Sequence, residues 1–271
     1  MPGAAKHRPR GRFGKRKMMI RLRQSVCRLL NAIIISAYLF QLSVFTIIYV
    51  LCFPFLMLVL GVREKGQWDS CFRINNALYG GVVCLASWPY IRFKRRGAVL
   101  ARGCAPCVVV TNHRHFADIF LFGLLPFYNI AVMVRTWPFS LFILGYFMRW
   151  GGYLDIEKNT LEELSETMAE YLRRGASFLF FPEAHRSRDA KLRRFQSGAF
   201  RTAAKHNLKV VPVCVTGMEQ LKWPETGHLF RPIKIIVEIM PPVDPATFPA
   251  EKRALLTRRC VEGTFREYFG E

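Results

Sequence analysis

Acidic residues are scarce in this sequence: nineteen Asp and Glu stand against forty Lys and Arg, a formal charge of +21 on 271 residues. None of the nineteen falls within the first 28 positions, where ten of the basic residues lie. A nucleic-acid binder can be this basic, but it has no use for the uncharged run from Leu29 to Val62, so nucleic acid is not an expected partner. Patterned cysteine is also missing. The eight cysteines, at 27, 52, 71, 84, 104, 107, 214 and 260, are scattered and several sit inside apolar runs, which excludes a disulfide scaffold and reads as reduced thiols facing the cytosol. Cys104-Ala-Pro-Cys107 is the one C-x-x-C, and no second ligand pair follows at standard spacing, so a structural zinc is not expected. No small-residue cleavage site follows the long apolar stretch, which excludes a secretory signal. There is no internal repeat, and the length leaves room for one domain and a membrane attachment rather than two full domains.

What the chain does have is grease beside charge: 51% of its residues are hydrophobic. That combination suits an anionic membrane surface or acidic substrates better than an ordinary soluble enzyme. Residues 1–28 read as a basic, disordered arm that tethers the chain to anionic lipid. Residues 29–91 read as membrane-associated helices. A straight helix over Leu29 to Val62 would be about 51 Å long against a hydrocarbon core of roughly 30 Å, so a break is expected at Pro54. The basic arm puts the N-terminus on the cytoplasmic side, and Arg63, Lys65 and Arg73 favour a hairpin that returns there. A second uncharged stretch, Ile74 to Ile91, fits a helix lying in the interface or completing that hairpin.

From residue 92 to 271 the grammar changes to short strands alternating with helical segments. Strands are expected near 93–102 with a turn at Gly97, then at 107–111, 130–134, 152–156, 177–181, 210–215 and 233–239. Helices are expected at 116–125, 137–150, 161–174, 195–206 and 251–269. The clearest is 161–174, where Thr160 and Glu163 form a capping box and Gly175 stops the helix. The expected fold is therefore α/β: a mixed sheet flanked by helices, preceded by a membrane helix or helical hairpin.

The chain is organised around Val108-Val109-Val110-Thr111-Asn112-His113-Arg114-His115-Phe116-Ala117-Asp118. A buried strand gives way to a turn and then to a helical pattern, with ionisable groups at the join. Five residues turn an ideal helix through about 500°, so His113 and Asp118 can touch only if His113 sits on the turn and Asp118 one turn in. So placed, the carboxylate holds one imidazole nitrogen and leaves the other as a base. His115, three residues before Asp118, is a second candidate at helical spacing.

Three further stretches put polar groups where strands should end: Gly152 to Lys158, Phe181-Pro182-Glu183-Ala184-His185-Arg186, and Val211-Pro212. Together with Asn112, His113 and Asp118 as an NH-x4-D block, they resemble the glycerolipid acyltransferases of the 1-acylglycerol-3-phosphate acyltransferase (PlsC-like) group. The blocks occur in that family's order and with similar spacing over roughly residues 70 to 245. Lys158 stands where the second block usually has arginine, Ala184 where FPEG has glycine, and His185 where a small hydroxyl residue is common.

The resemblance implies an O-acyltransferase that moves a fatty acyl group from acyl-CoA or acyl carrier protein to the free hydroxyl of a lysophospholipid, lysophosphatidate first, giving phosphatidate. It implies His113 as general base and Asp118 as its orienter. Glu183, Arg186, Lys158 and Asn112 would be the substrate-binding set, with Arg186 suited to a phosphate oxygen by its planar fork. No metal and no cofactor beyond the thioester co-substrate is implied. The segment Arg186 to Arg201, with six basic residues and one acid, fits a landing patch for anionic lipid or an acidic donor. Three alternatives stay open: an acyltransferase for another lysolipid, a metal-dependent hydrolase using His113, His115 and Asp118, and a non-enzymatic membrane scaffold.

Overall fold

A computed structural model describes residues 10–63, 67–183, 191–221 and 231–271. Two helices lead. α1 (Arg10–Arg63) is unbroken, and Pro54 lies inside it. The expected break is absent because α2 (Trp68–Ala86) runs back along it and holds both sides of the proline: the Phe53 ring lies 6.2 Å from that of Phe72, and Met57 and Leu60 close on Cys71 and Ile74. Residues 10–28, expected as part of a disordered arm, are helical. Lys, Arg, Leu and Met are good helix formers, and extending an existing helix avoids the cost of nucleation. Within α1, Lys17–Arg63 is long and apolar enough to cross a membrane.

α2 belongs physically to the sheet domain. Its Arg73 is fully buried, pairs with Asp69 at 3.0 Å, donates to Ser70, Asn129 and the Gly151 carbonyl, and lies 4.4 Å from the Tyr171 ring. A buried guanidinium is tolerable only when its donors are satisfied in this way. Farther along α2, Gly80 and Gly81 meet Gly123 of the 3-10 segment Phe116–Leu124 so closely that a Cβ on Gly123 would stand 2.1 Å from the Gly81 nitrogen. That contact seats the segment carrying Asp118.

The sheet has seven strands: β1 (Ile91–Arg96), β2 (Val108–Thr111), β3 (Ile130–Val134), β4 (Leu154–Asp155), β5 (Ser177–Phe180), β6 (Val210–Thr216) and β7 (Ile233–Ile239), in the order β1-β7-β6-β2-β5-β3-β4. Pairing is parallel except between β6 and β7, so the sheet is mixed as expected. β2, at its centre, is buried on both faces, which is why it reads as an unbroken Val run. Val109 joins the core on the α2 side; Val108 and Val110 face α5 (Gly198–His206) and α6 (Arg253–Phe269). The Thr160/Glu163 capping box opens α4 (Leu161–Arg173).

Two helical expectations change. Residues 116–124 are 3-10, ending where Leu125 must be extended before Pro126. The stretch 137–150 divides into a 3-10 turn, Trp137–Ser140, with Pro138 in its first turn, and α3 (Phe142–Trp150).

Candidate active site

The site lies where β2 runs out. Past Thr111 the chain turns, and Asn112 takes up the register that the strand leaves: its amide donates to the Val215 carbonyl at 2.8 Å and accepts from the Val215 N–H at 2.8 Å. It is fully buried. Asn112 was expected among the substrate-binding residues; instead its side chain extends the β2–β6 ladder by one rung and has no surface to offer a ligand.

His113 follows on the turn, with its ring about a fifth exposed and its centroid 4.2 Å from that of the Phe181 ring, tilted by 34°. Its Nδ1 donates to Asp118 Oδ2 at 2.8 Å. The same oxygen accepts the backbone N–H groups of Arg114 at 2.8 Å and His115 at 3.0 Å. Three donors on one buried carboxylate oxygen fix its position. With Nδ1 committed, Nε2 keeps the lone pair of the neutral imidazole.

His115 does not reach Asp118 through its ring. Its Nδ1 accepts the Ala117 N–H at 3.2 Å and caps the 3-10 segment. Among the described residues, no three His, Cys, Asp or Glu side chains gather as a metal centre.

Glu183 was expected at the acceptor. It is buried, and its two oxygens accept the backbone N–H groups of His113 at 3.2 Å and Arg193 at 3.1 Å. It therefore sits beneath the histidine and ties the β2 turn to the chain after residue 190. Burial pushes its carboxyl pKa up, and the two N–H groups, Arg114 and His113 offset this only in part. Arg186, with Ala184 and His185, lies outside the described residues. Lys158 is exposed at the carboxyl end of β4, on the same sheet edge as His113 but three strand spacings, about 14 Å, from β2. Its backbone N–H caps Asp155 at 3.1 Å. The Val211-Pro212 block lies inside β6, in register with Val109 and Val110. In the basic segment, Lys191, Arg193, Arg194 and Arg201 are exposed.

Two residues that shape the site carry no sequence signal. Arg114 is buried, donates to the Lys191 carbonyl at 3.3 Å and lies 5.2 Å from the Phe269 ring. Both carboxylate oxygens of Glu271 accept the Leu192 N–H, at 3.0 and 3.2 Å. Neither belongs to a hydrophobic period, and each acts across a long stretch of chain. Beside the turn opens an apolar cavity of about 410 Å³, walled by Ile34, Tyr38, Val83, Phe93 and Ile235, with His115 and Phe116 at its rim.

The site is thus a paired His and Asp at the carboxyl end of the central strand of a mixed α/β sheet. Residues 93–216 match the family model described as Acyltransferase, so the chain carries an acyltransferase-family domain. Its likeness within that class is to the 1-acyl-sn-glycerol-3-phosphate acyltransferases. It is 36% identical over 117 residues to a chloroplastic enzyme of that name from Brassica napus, covering 41% of this chain and 33% of that one. It is 34% identical over 143 residues to the Chlamydomonas reinhardtii protein, covering 49% and 41%. Against the Escherichia coli (strain K12) protein it is 30% identical over 113 residues, covering 40% and 45%. The chain thus spans less than half the length of these three relatives. The crystal structure of the 1-acyl-sn-glycerophosphate (LPA) acyltransferase PlsC from Thermotoga maritima shares the fold, with a TM-score of 0.66 at 21% identity over 92% of this chain and 96% of that one.

Proposed function

We propose that the protein is a membrane-attached acyltransferase that moves a fatty acyl group from an acyl-CoA or acyl carrier protein thioester to the free hydroxyl of lysophosphatidate, giving phosphatidate. The observation that carries this reading is the 2.8 Å bond between His113 Nδ1 and Asp118 Oδ2 at the end of β2, inside a domain that matches the acyltransferase family over 93–216.

In this mechanism His113 Nε2 takes the proton of the lysolipid hydroxyl as its oxygen attacks the thioester carbonyl carbon. The C–S bond then breaks, and the imidazolium returns the proton to the departing thiolate. The new ester and the free thiol account for every atom, so no protein nucleophile and no cofactor is required. Asp118 keeps the ring in the tautomer with Nε2 free and stabilises the imidazolium, the role of the acid in a His–Asp pair. Glu183 holds the His113 backbone, and so acts on the acceptor only through the histidine. Arg186 and Lys158 are assigned to the acceptor phosphate, where a fork and a point charge respectively complement its oxygens. The apolar cavity beside the turn suits a fatty acyl chain. α1 supplies the attachment; the basic residues at its start favour anionic lipid and a cytoplasmic N-terminus, and α2, which runs back along α1, returns the sheet domain to that side.

The test is transfer itself: purified protein given a panel of lysolipids with each donor type, and the products read by mass. Phosphatidate formed from lysophosphatidate is the expected result. Product from a different lysolipid only would replace the acceptor, and none from any would remove the activity.

A further inference from the structure

One face of α3 is exposed and aromatic. Phe142, Tyr146 and Trp150 follow one another at i, i+4 and i+8 and so share a stripe about 12 Å long. Phe142 is 81% exposed, the other two are each about half exposed, and the rings stand in series with centroids 6.2 and 5.8 Å apart. Exposed Trp137 and Leu141 continue the stripe into the preceding turn. A helix that faces water would carry charges here. Residues 137–150 contain no acid and one base, Arg149. Arg149 lies 4.9 Å from the Tyr146 ring and donates to the Phe139 carbonyl at 2.7 Å, which keeps the cation at the edge of the ladder.

This face continues the outer surface of α1. Phe147 meets Phe53 of α1 at 6.3 Å, and Trp150 meets Phe72 of α2 at 5.2 Å. The neighbouring outer residues of α1, Phe55, Leu58 and Val62, are exposed too. Beside a helix that enters lipid, an aromatic stripe stands at the depth where indole and phenol rings are most stable, with the ring in the hydrocarbon boundary and the polar end in water.

We propose that α3 docks into the headgroup layer of an anionic bilayer as a second membrane contact of the sheet domain, with Trp137, Phe142, Tyr146 and Trp150 at the boundary and Arg149 on lipid phosphates. The inference rests on the membrane-attached reading above. A charge of +21 favours an anionic surface over a second copy of the chain as the occupant. Docked on both α1 and α3, the domain cannot swing about α1, so the edge carrying His113 keeps a fixed height over the lipid.

The test uses the full chain bound to phosphatidylcholine/phosphatidylglycerol vesicles. Flotation is measured first and reports attachment by itself. The fluorescence difference between the wild type and a Trp137→Phe/Trp150→Phe variant then isolates two indoles. We expect lipids brominated near the headgroup to lower this difference signal by about twofold or more, and aqueous iodide to leave it nearly unchanged. Protein that floats but whose difference signal responds to iodide and not to brominated lipid has α3 in water, which overturns the proposal and leaves the attachment standing. Shielding from both quenchers, with crosslinking into dimers, would mean that a second copy covers the face, and this also overturns it. Protein that does not float removes the attachment reading and the proposal together.

Discussion

Replacing Asn112 by alanine separates a scaffold role from a substrate role. In the native site the Asn112 amide meets both backbone groups of Val215, each at 2.8 Å and away from solvent. Alanine leaves that N–H and that C=O without partners, and each unsatisfied buried group costs about 1–3 kcal/mol. Entry of water at the end of β2 would relieve part of the loss, so about 2–5 kcal/mol is expected in total. For a chain of this size each kcal/mol moves the midpoint of thermal unfolding by roughly 2–4 °C, which puts the Asn112→Ala shift at about 4–20 °C. Asn112→Asp should fare no better at neutral pH, since it keeps an acceptor for the Val215 N–H but turns a carboxylate oxygen toward the Val215 carbonyl. Thermal unfolding followed by circular dichroism in detergent measures the shift, and acceptor KM is read on the same preparations. An unchanged midpoint together with a raised KM would mean that Asn112 touches the acceptor, and the ladder argument would fail.

Three other perturbations follow from the same geometry. Asp118→Asn keeps a hydrogen-bond acceptor but removes the charge that stabilises the His113 imidazolium, so the rate of transfer should fall by about 10²–10⁴; a rate within threefold of wild type, a change of well under about 1 kcal/mol, contradicts the pairing. Glu183 is buried with its carboxyl pKa raised. Its stabilising contribution is therefore present below the ordinary glutamate value and lost as pH rises through the raised native value. The stability of the wild type relative to Glu183→Gln, read from urea midpoints from about pH 4 to about pH 7, should decline across that window, and a difference flat with pH would refute the burial argument. Glu271→Ala removes both acceptors of the Leu192 N–H, a loss of about 1 kcal/mol that should speed hydrogen exchange at that amide about fivefold. Unchanged exchange would show that Glu271 does not hold the segment next to Arg193.

Much of the fold was legible because it depends on local pattern. The Val runs of β2 and β6 are buried on both faces and lack alternation for that reason. The Thr160 and Glu163 box forms with bonds of 3.2 and 2.8 Å in the two directions. Helical arithmetic allowed a contact between His113 and Asp118 only with the histidine on the turn, which is where it lies. What was not legible acts across the chain. Asn112 meets Val215 and Glu183 meets His113, pairs that lie 103 and 70 residues apart, and no periodicity reports such distances, so both residues looked available for substrate. Pro54 reads as a helix break until α2 is seen packed on either side of it. The second histidine looked like a rival base because spacing alone cannot say that its ring caps Ala117.

Acyl transfer by two single-histidine variants tests the central claim most directly. Purified wild type, His113→Ala and His115→Ala are each given lysophosphatidate and an acyl-CoA in vesicles, and phosphatidate is quantified by mass. His113→Ala should form none above the uncatalysed background, and His115→Ala, which loses the cap of the 3-10 segment, should keep a sizeable fraction of the wild-type rate. Full activity in His113→Ala would contradict its assignment as the base.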